Sequence, residues 1–155
     1  MEVLMNCTDE IKCSEDRFEK LKLKNQLCFP MYAASREILR KYTPLLKQLD
    51  LTYTQYIVMM VLWEEKSVTV GDLGKKLFLD TGTLSPLLKA MEKKRLLTRA
   101  RDPSDERIVR ICITGEGEEL RNRAVDVPEK MGGCLKLSEE EAATLYNLLY
   151  RILTH

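Results

Sequence analysis

The chain has 155 residues, enough for one domain with an ordinary core, and 25 Lys and Arg nearly cancel 24 Asp and Glu. No run approaches the roughly 20 apolar residues that span a bilayer, and no basic stretch followed by an apolar one marks a signal peptide, so the expected location is the cytoplasm. Five cysteines, Cys7, Cys13, Cys28, Cys112 and Cys134, are odd in number and lack short paired spacing. With His155 the only histidine, free thiols are expected rather than a disulfide scaffold or a metal site.

Residues 1–16 are polar and acidic with few apolar anchors, and read as a flexible N-terminal extension in which Cys7 and Cys13 are bystanders. A single domain is expected over 17–155. From Arg17 to about Leu49, the placing of Leu23, Leu27, Met31, Ile38, Leu45, Leu46 and Leu49 predicts a long helical region. Pro30 falls inside it. Proline is poorly tolerated in a helix interior, so the helix either starts near Cys28 or kinks there.

Cys28 taken alone reads as a small buried hydrophobe; a reactive thiol needs a stabilised thiolate and access. Tyr32, four residues on, falls on the same helical face. Tyr42 lies about 21 Å further along a continuous helix at about 1.5 Å per residue, too far to reach Cys28 of its own chain. It could reach Cys28 of a partner packed antiparallel.

Leu51 to Glu64 predicts a helix capped near Thr52 or Thr54, with Ile57, Met60, Val61 and Trp63 in the core and Met59, Met60 and Met91 serving as packing. Val68 to Ile113 reads as a short helix, a tight turn, a second helix, and two strands around a charged tip. The second helix is expected to begin at Thr81 to Thr83, whose hydroxyls can cap it, and to bury Leu84, Leu87, Leu88 and Met91. Thr81, Thr83, Ser85, Pro86, Lys89 and Lys93 fall elsewhere on the helix, available to a partner. Leu96 to Ala100 and Ile108 to Ile113 carry the aliphatic content of paired strands, and Arg101 to Arg107 forms a turn-rich tip.

Between Lys89 and Arg110, eight Lys or Arg face four acids, an excess of four in a chain whose total is +1. Such a local excess suits phosphate contact. A helix, a turn, a helix and a basic hairpin in that order match a winged helix-turn-helix, with the second helix in the major groove of double-stranded DNA and the hairpin reaching the neighbouring groove. Gly71 and Gly74 form no phosphate loop, and no Ser, His and Asp set is present for hydrolysis.

Gly115 opens a final helical section, expected to be interrupted around Pro128 and at Gly132 and Gly133. Leu145, Leu148, Leu149, Ile152 and Leu153 then repeat at helical spacing, a stripe suited to a second copy. The fold class is therefore mainly α with a small β part (α+β). Its DNA-reading portion covers about 52–113, and helices at about 17–49 and 114–155 form the dimerisation region. A symmetric homodimer would address two half-sites of a pseudo-palindromic operator roughly 34 to 36 Å apart. Cys112, between two isoleucines in a strand, reads as structural.

The run LFLDTGTLSPLLKAMEKKRLLTRARDPSDER resembles the DNA-reading half of MarR-type bacterial repressors, and LKLKNQLCFPMYAASREILRKYTPLLKQLDLTYTQYIVMMVLWE resembles their organic-hydroperoxide-sensing, OhrR-type branch. Together the matches cover roughly Lys20 to Val127, leaving the N-terminal extension outside. The resemblance implies a cytoplasmic repressor without cofactor or metal, released from its operator when an organic hydroperoxide oxidises a cysteine at the position of Cys28. It implies that tyrosine hydroxyls from the partner, here Tyr42 and Tyr53 with Tyr32 as the local companion, hold the reactive sulfur. It also implies a second cysteine that resolves the oxidised one, for which Cys134 is the candidate by position, or else a low-molecular-weight thiol. The Asp-x-Arg element common in MarR-like wings is present as Asp105, Glu106 and Arg107, with Arg99 and Arg101 adding phosphate contacts. Two departures stand out: Pro30 and Ala90 replace an apolar and a basic residue. Two other readings remain: a MarR-like repressor released by a small phenolic or other ligand, with Cys28 incidental, and a thiol peroxidase.

Overall fold

The structure, a computed structural model, describes residues 18–154. The N-terminal extension with Cys7 and Cys13, and His155, lie outside the described residues. The described chain divides into two compact units at Arg40 and Lys41.

The first unit is not helical throughout. Two short 3₁₀ turns, Glu19–Leu21 and Leu23–Asn25, precede helix α1, Cys28–Lys47. Gln26 and Asn25 explain the difference: their side-chain amides donate to the carbonyls of Lys20 and Glu19, giving the backbone a non-helical alternative. Pro30 resolves in favour of a start at Cys28. It is the third helical residue, where the N–H that proline lacks has no helical acceptor.

The second unit begins with the remainder of α1, where Leu46 is buried, and turns at Asp50 into α2, Tyr53–Glu65. Thr52, not Thr54, is the cap. Its hydroxyl accepts from the Gln55 N–H at 3.3 Å, and the Gln55 side chain accepts from the Thr52 N–H at 3.1 Å, so two orphan donors are satisfied reciprocally. Helix α2 buries Tyr56, Val58, Met59, Leu62 and Trp63, while Met60 is 46% exposed, against the expectation that it belongs to the core. Having apolar residues almost all round, this helix offers no single apolar stripe by which sequence could tell Met59 from Met60.

A three-residue strand, β1 (Ser67–Thr69), precedes α3 (Val70–Leu77), where the sequence pointed only to helix. Helix α4 is Thr81–Lys93; strands β2 (Leu97–Arg101) and β3 (Val109–Ile113) form the hairpin. The antiparallel sheet has the order β1-β3-β2, with Val68 opposite Ile111 and Arg99 opposite Ile111 on the other side. β1 is legible only through that pairing, since three residues carry too little periodicity. Leu73, Leu84, Leu88, Met91, Leu97 and Ile111 meet in one core under the sheet, so the reading helix and the hairpin share an apolar foundation.

Three helices follow: α5 (Gly115–Ala124), α6 (Val127–Leu135) and α7 (Glu139–Leu153). The breaks fall at Val125 to Asp126, just ahead of Pro128 as expected, and at Lys136 to Ser138 rather than at the glycine pair. Pro128 opens α6 from its first turn, and Gly132 and Gly133 are helical within it. Trp63 donates its indole N–H to the Gly117 carbonyl at 2.8 Å, a buried bond tying α2 to α5. No helix among the described residues is long and apolar enough to cross a membrane.

Candidate functional site

Helix α4 is aimed by its first turn. The cap is Asp80, one residue before the expected threonines: its carboxylate accepts from the Thr83 N–H at 2.9 Å and the Thr83 hydroxyl at 2.7 Å, and those bonds hold the carboxyl below its ordinary range. An acid three residues ahead of a threonine is a readable N-cap signal, and Asp outranks Thr as a cap. Gly82 makes room, because a Cβ there would stand 2.9 Å from the Asp80 carboxylate. Ser85 donates back to the Thr81 carbonyl at 2.8 Å. The hydroxyl protons of Thr83 and Ser85 are thus engaged within the helix, and what these side chains offer outward is lone pairs.

Leu84, Leu88 and Met91 are buried, Leu87 half-buried, and Thr81, Gly82, Thr83, Pro86, Lys89 and Lys93 exposed. Pro86 lies within α4; the N–H it lacks would have bonded the Gly82 carbonyl, and a glycine at that place limits the crowding.

The hairpin is braced by Asp105 of the Asp-x-Arg element and by two further carboxylates, Glu92 and Asp102, that sequence spacing did not reveal. Glu92 of α4 accepts from the Arg99 backbone N–H at 3.1 Å and from its guanidinium at 2.8 and 2.9 Å, riveting the reading helix to the base of β2. Any phosphate contact by Arg99 therefore shares its guanidinium with Glu92. At the tip, Asp102 accepts from the Ser104 N–H and hydroxyl at 3.0 and 2.6 Å and from Arg110 at 2.9 Å. Asp105 accepts from the Arg107 N–H at 3.0 Å and from its guanidinium in two bonds. These bonds leave the Arg107 side chain 90% exposed, so the aspartate aims the arginine rather than burying it. Arg101 reaches the Glu106 carbonyl at 3.1 Å.

The Asp102 carboxyl is lowered to about 2, first by the Ser104 hydroxyl and N–H and then by Arg110. A carboxyl whose folded pKa lies below its unfolded value contributes stability at pH above the unfolded value and loses it as pH falls through the folded one. The tip is expected to stay ordered at pH 4 and to loosen between about pH 4 and 2, read from the Arg110 Nε–H and Ser104 N–H signals by NMR. An Asp102→Asn variant should show the loosened tip already at neutral pH.

Pairing reshapes the local charge. Asp50 and Glu116, from outside the segment, take Lys94 at 3.0 Å and Arg95 at 3.9 Å, so the excess of four counted along the sequence falls to two. Lys89, Lys93 and Arg101 have no carboxylate partner among the described residues. A groove of about 550 Å³ runs between α3, the start of α4 and the hairpin, lined in part by Lys75, Thr81, Ser85, Arg99 and Arg107.

The redox candidates are distributed over both units. In the first, Cys28 is exposed at the opening of α1, and the Tyr32 hydroxyl, also exposed, accepts from Arg36 at 3.4 Å while the guanidinium stands 5.6 Å from its ring centroid. In the second, Tyr42, Tyr53 and Tyr56 form an aromatic cluster, Tyr42 lying 4.8 Å from Tyr53 and 6.0 Å from Tyr56 between ring centroids. Burial raises all three phenols above their ordinary range, with the neighbouring phenols adding to it at Tyr42 and Tyr56. They therefore remain protonated donors at neutral pH. Cys112 is half-buried in β3, its sulfur 3.3 Å from the Ser67 hydroxyl. Cys134 is exposed and helical, its thiol donating to the Lys130 carbonyl at 3.2 Å.

A capped reading helix riveted to a basic wing defines a winged-helix DNA-binding protein. Residues 40–124 match the family described as Transcriptional regulator SarA/Rot. The chain is 46% identical over 139 residues to the organic hydroperoxide resistance transcriptional regulator of Bacillus subtilis, covering 90% of this chain and 95% of that one. It is 41% identical over 131 residues to the HTH-type transcriptional regulator SarZ of Staphylococcus aureus, covering 84% and 88%. Among solved structures, overoxidized AbfR bound to DNA, a protein of Staphylococcus epidermidis, superposes with a TM-score of 0.73 at 36% identity, over 90% of this chain and 98% of that chain. The chain belongs to the MarR family of winged-helix transcriptional regulators, in its OhrR-type branch. It is a DNA-binding regulator and not an enzyme.

Proposed function

We propose that the protein is a homodimeric repressor that reads a pseudo-palindromic operator and releases it when an organic hydroperoxide oxidises Cys28. Thr81, Thr83, Ser85, Pro86, Lys89 and Lys93 face the major groove, with lone pairs and ammonium groups for base edges and phosphates. Arg107, aimed by Asp105, enters the minor groove, and Arg101 and the outer edge of Arg99 meet phosphates. Dimerisation is supported by α7, which has no buried residue and exposes Leu145, Leu148, Leu149, Ile152 and Leu153 on one face. A Leu149→Glu, Ile152→Glu double variant is expected to sediment as a monomer and to lose most operator affinity, because one reading head alone forfeits the second half-site.

The observation that carries the sensor reading is the exposed sulfur of Cys28 at the first residue of α1, in a chain closely similar to a hydroperoxide resistance regulator. A helix N-terminus favours negative charge, and protonated phenols from Tyr42 and Tyr53 of the partner subunit, with Tyr32 nearby, donate to a sulfur anion. The thiolate attacks the outer peroxide oxygen. An S–O bond forms as the O–O bond breaks, the alkoxide leaves and takes a proton, and cysteine sulfenic acid and an alcohol result. A thiol, either Cys134 or a small molecule, then forms a disulfide with loss of water. The oxidised sulfur no longer accepts those hydrogen bonds, and the dimer shifts to an arrangement in which helices and wings miss their half-sites. The flanking Leu27 and Phe29, both exposed, favour an organic oxidant over hydrogen peroxide.

The test is a gel-shift titration on duplex from upstream of the protein's own gene, with cumene hydroperoxide or hydrogen peroxide. Release at far lower cumene hydroperoxide is expected; equal sensitivity removes the organic preference. A Cys134→Ser variant that still forms a covalent dimer on oxidation removes Cys134 from the mechanism.

A second reading, release by a small phenolic ligand, is favoured by a cavity of about 300 Å³ lined by Tyr56, Met60, Trp63 and Val125, with Arg121 available to an anionic group.

A further inference from the structure

Among the described residues, five other than glycine have positive φ: Asp50, Lys66, Phe78, Arg95 and Lys136. Four are charged, and exposing them at a turn has no desolvation cost. Phe78 is the exception. It has φ 53° and ψ 41°, the left-handed region where glycine or asparagine is least strained, and the residue is 50% exposed. Backbone geometry and the exposure of half its surface both disfavour phenylalanine here.

Its place in the fold points to another contribution. The Phe78 N–H closes the end of α3 on the carbonyls of Gly74 and Lys75, and Asp80, two residues on, caps α4. Gly74 holds the turn tight: a Cβ there would lie 2.7 Å from the Leu79 carbonyl oxygen. The ring is consequently carried on a turn whose backbone is fixed by these bonds, two residues before the cap of the reading helix, whose first residues Thr81, Gly82 and Thr83 are exposed like Phe78 itself.

We propose that Phe78 is a DNA-contact residue whose ring packs against deoxyribose C–H groups on the strand at the lip of the major groove. This rests on the placement of α4 in that groove. A residue whose backbone is already fixed by the turn loses little backbone freedom on docking, and sugar contact is read without regard to base sequence. Phe78 thereby adds affinity and register but neither charge nor specificity.

Phe78→Asn relieves the strain and removes the ring; Phe78→Tyr restores the ring. Binding is measured over a range of salt on the upstream duplex and on a random-sequence duplex, with thermal midpoints alongside. The Asn variant is expected to melt at or above the wild-type temperature and to bind both duplexes roughly fivefold more weakly with an unchanged salt slope, while the Tyr variant binds as wild type. Undiminished binding by the Asn variant overturns the proposal, as does a loss confined to the upstream duplex or a shallower salt slope. Wild-type protein that binds neither duplex overturns the placement of α4 itself, and is told apart by failing before any substitution is made.

Discussion

Cys28→Ser protein is expected to bind its operator as tightly as wild type and to stay bound at hydroperoxide concentrations that lower wild-type affinity by about fiftyfold, within the usual range of coupling between two sites. Serine keeps the size and hydrogen-bonding capacity of the side chain but cannot follow the peroxide chemistry of sulfur. The substitution is far from α4 in sequence and touches none of the bonds that brace the reading head, so affinity before oxidation should be unaffected. Binding measured by fluorescence anisotropy with and without cumene hydroperoxide checks both halves. If the serine variant is released by peroxide like wild type, Cys28 is incidental and the ligand cavity at Tyr56 and Trp63 becomes the better account of regulation. Tyr42→Phe and Tyr53→Phe should weaken the oxidative response without abolishing it, because each removes one donor and leaves the sulfur.

Gly117→Ala should be the most destabilising of the glycine-to-alanine substitutions. A Cβ there would lie 2.1 Å from the Leu96 carbonyl oxygen and 3.0 Å from the Ile113 side chain, a collision with backbone that no rotamer relieves. Moving α5 away would also break the buried Trp63 bond to the Gly117 carbonyl. Overpacking and a lost buried hydrogen bond together cost about 4 kcal/mol, a large share of the roughly 5 to 15 kcal/mol that holds a domain folded. Urea denaturation followed by Trp63 fluorescence measures it directly. Gly132→Ala and Gly133→Ala are the controls. Nothing lies within 4 Å of either added carbon, both residues are helical, and each should stabilise by about 0.5 to 1 kcal/mol.

The reading head was the most legible part of the chain. Leu84, Leu88 and Met91 follow the period of a helix buried on one side, and the turn-rich RDPSDER between aliphatic runs marks a hairpin tip. Where sequence reasoning missed, the cause was competition between local bonds. Thr81 to Thr83 looked like caps because hydroxyls cap helices; Asp80 took that place because its carboxylate accepts two bonds from Thr83. The first unit looked helical on its leucines, yet Gln26 and Asn25 divert the backbone before Cys28. Glu92 and Arg99 are seven residues apart and on different elements, and no periodicity marks such a pair.

Order along the chain and the apolar spacing within it thus determined the helix-turn-helix, the hairpin and the terminal stripe of α7, because each is set by interactions between residues a few positions apart. Only the tertiary structure decided that β1 completes the sheet, that Asp50 and Glu116 neutralise Lys94 and Arg95, that Gly117 admits no side chain, and that Phe78 is held strained beside the reading helix. Those outcomes depend on which distant groups meet across the packed core, and neither charge counts nor hydrophobic periods carry that information.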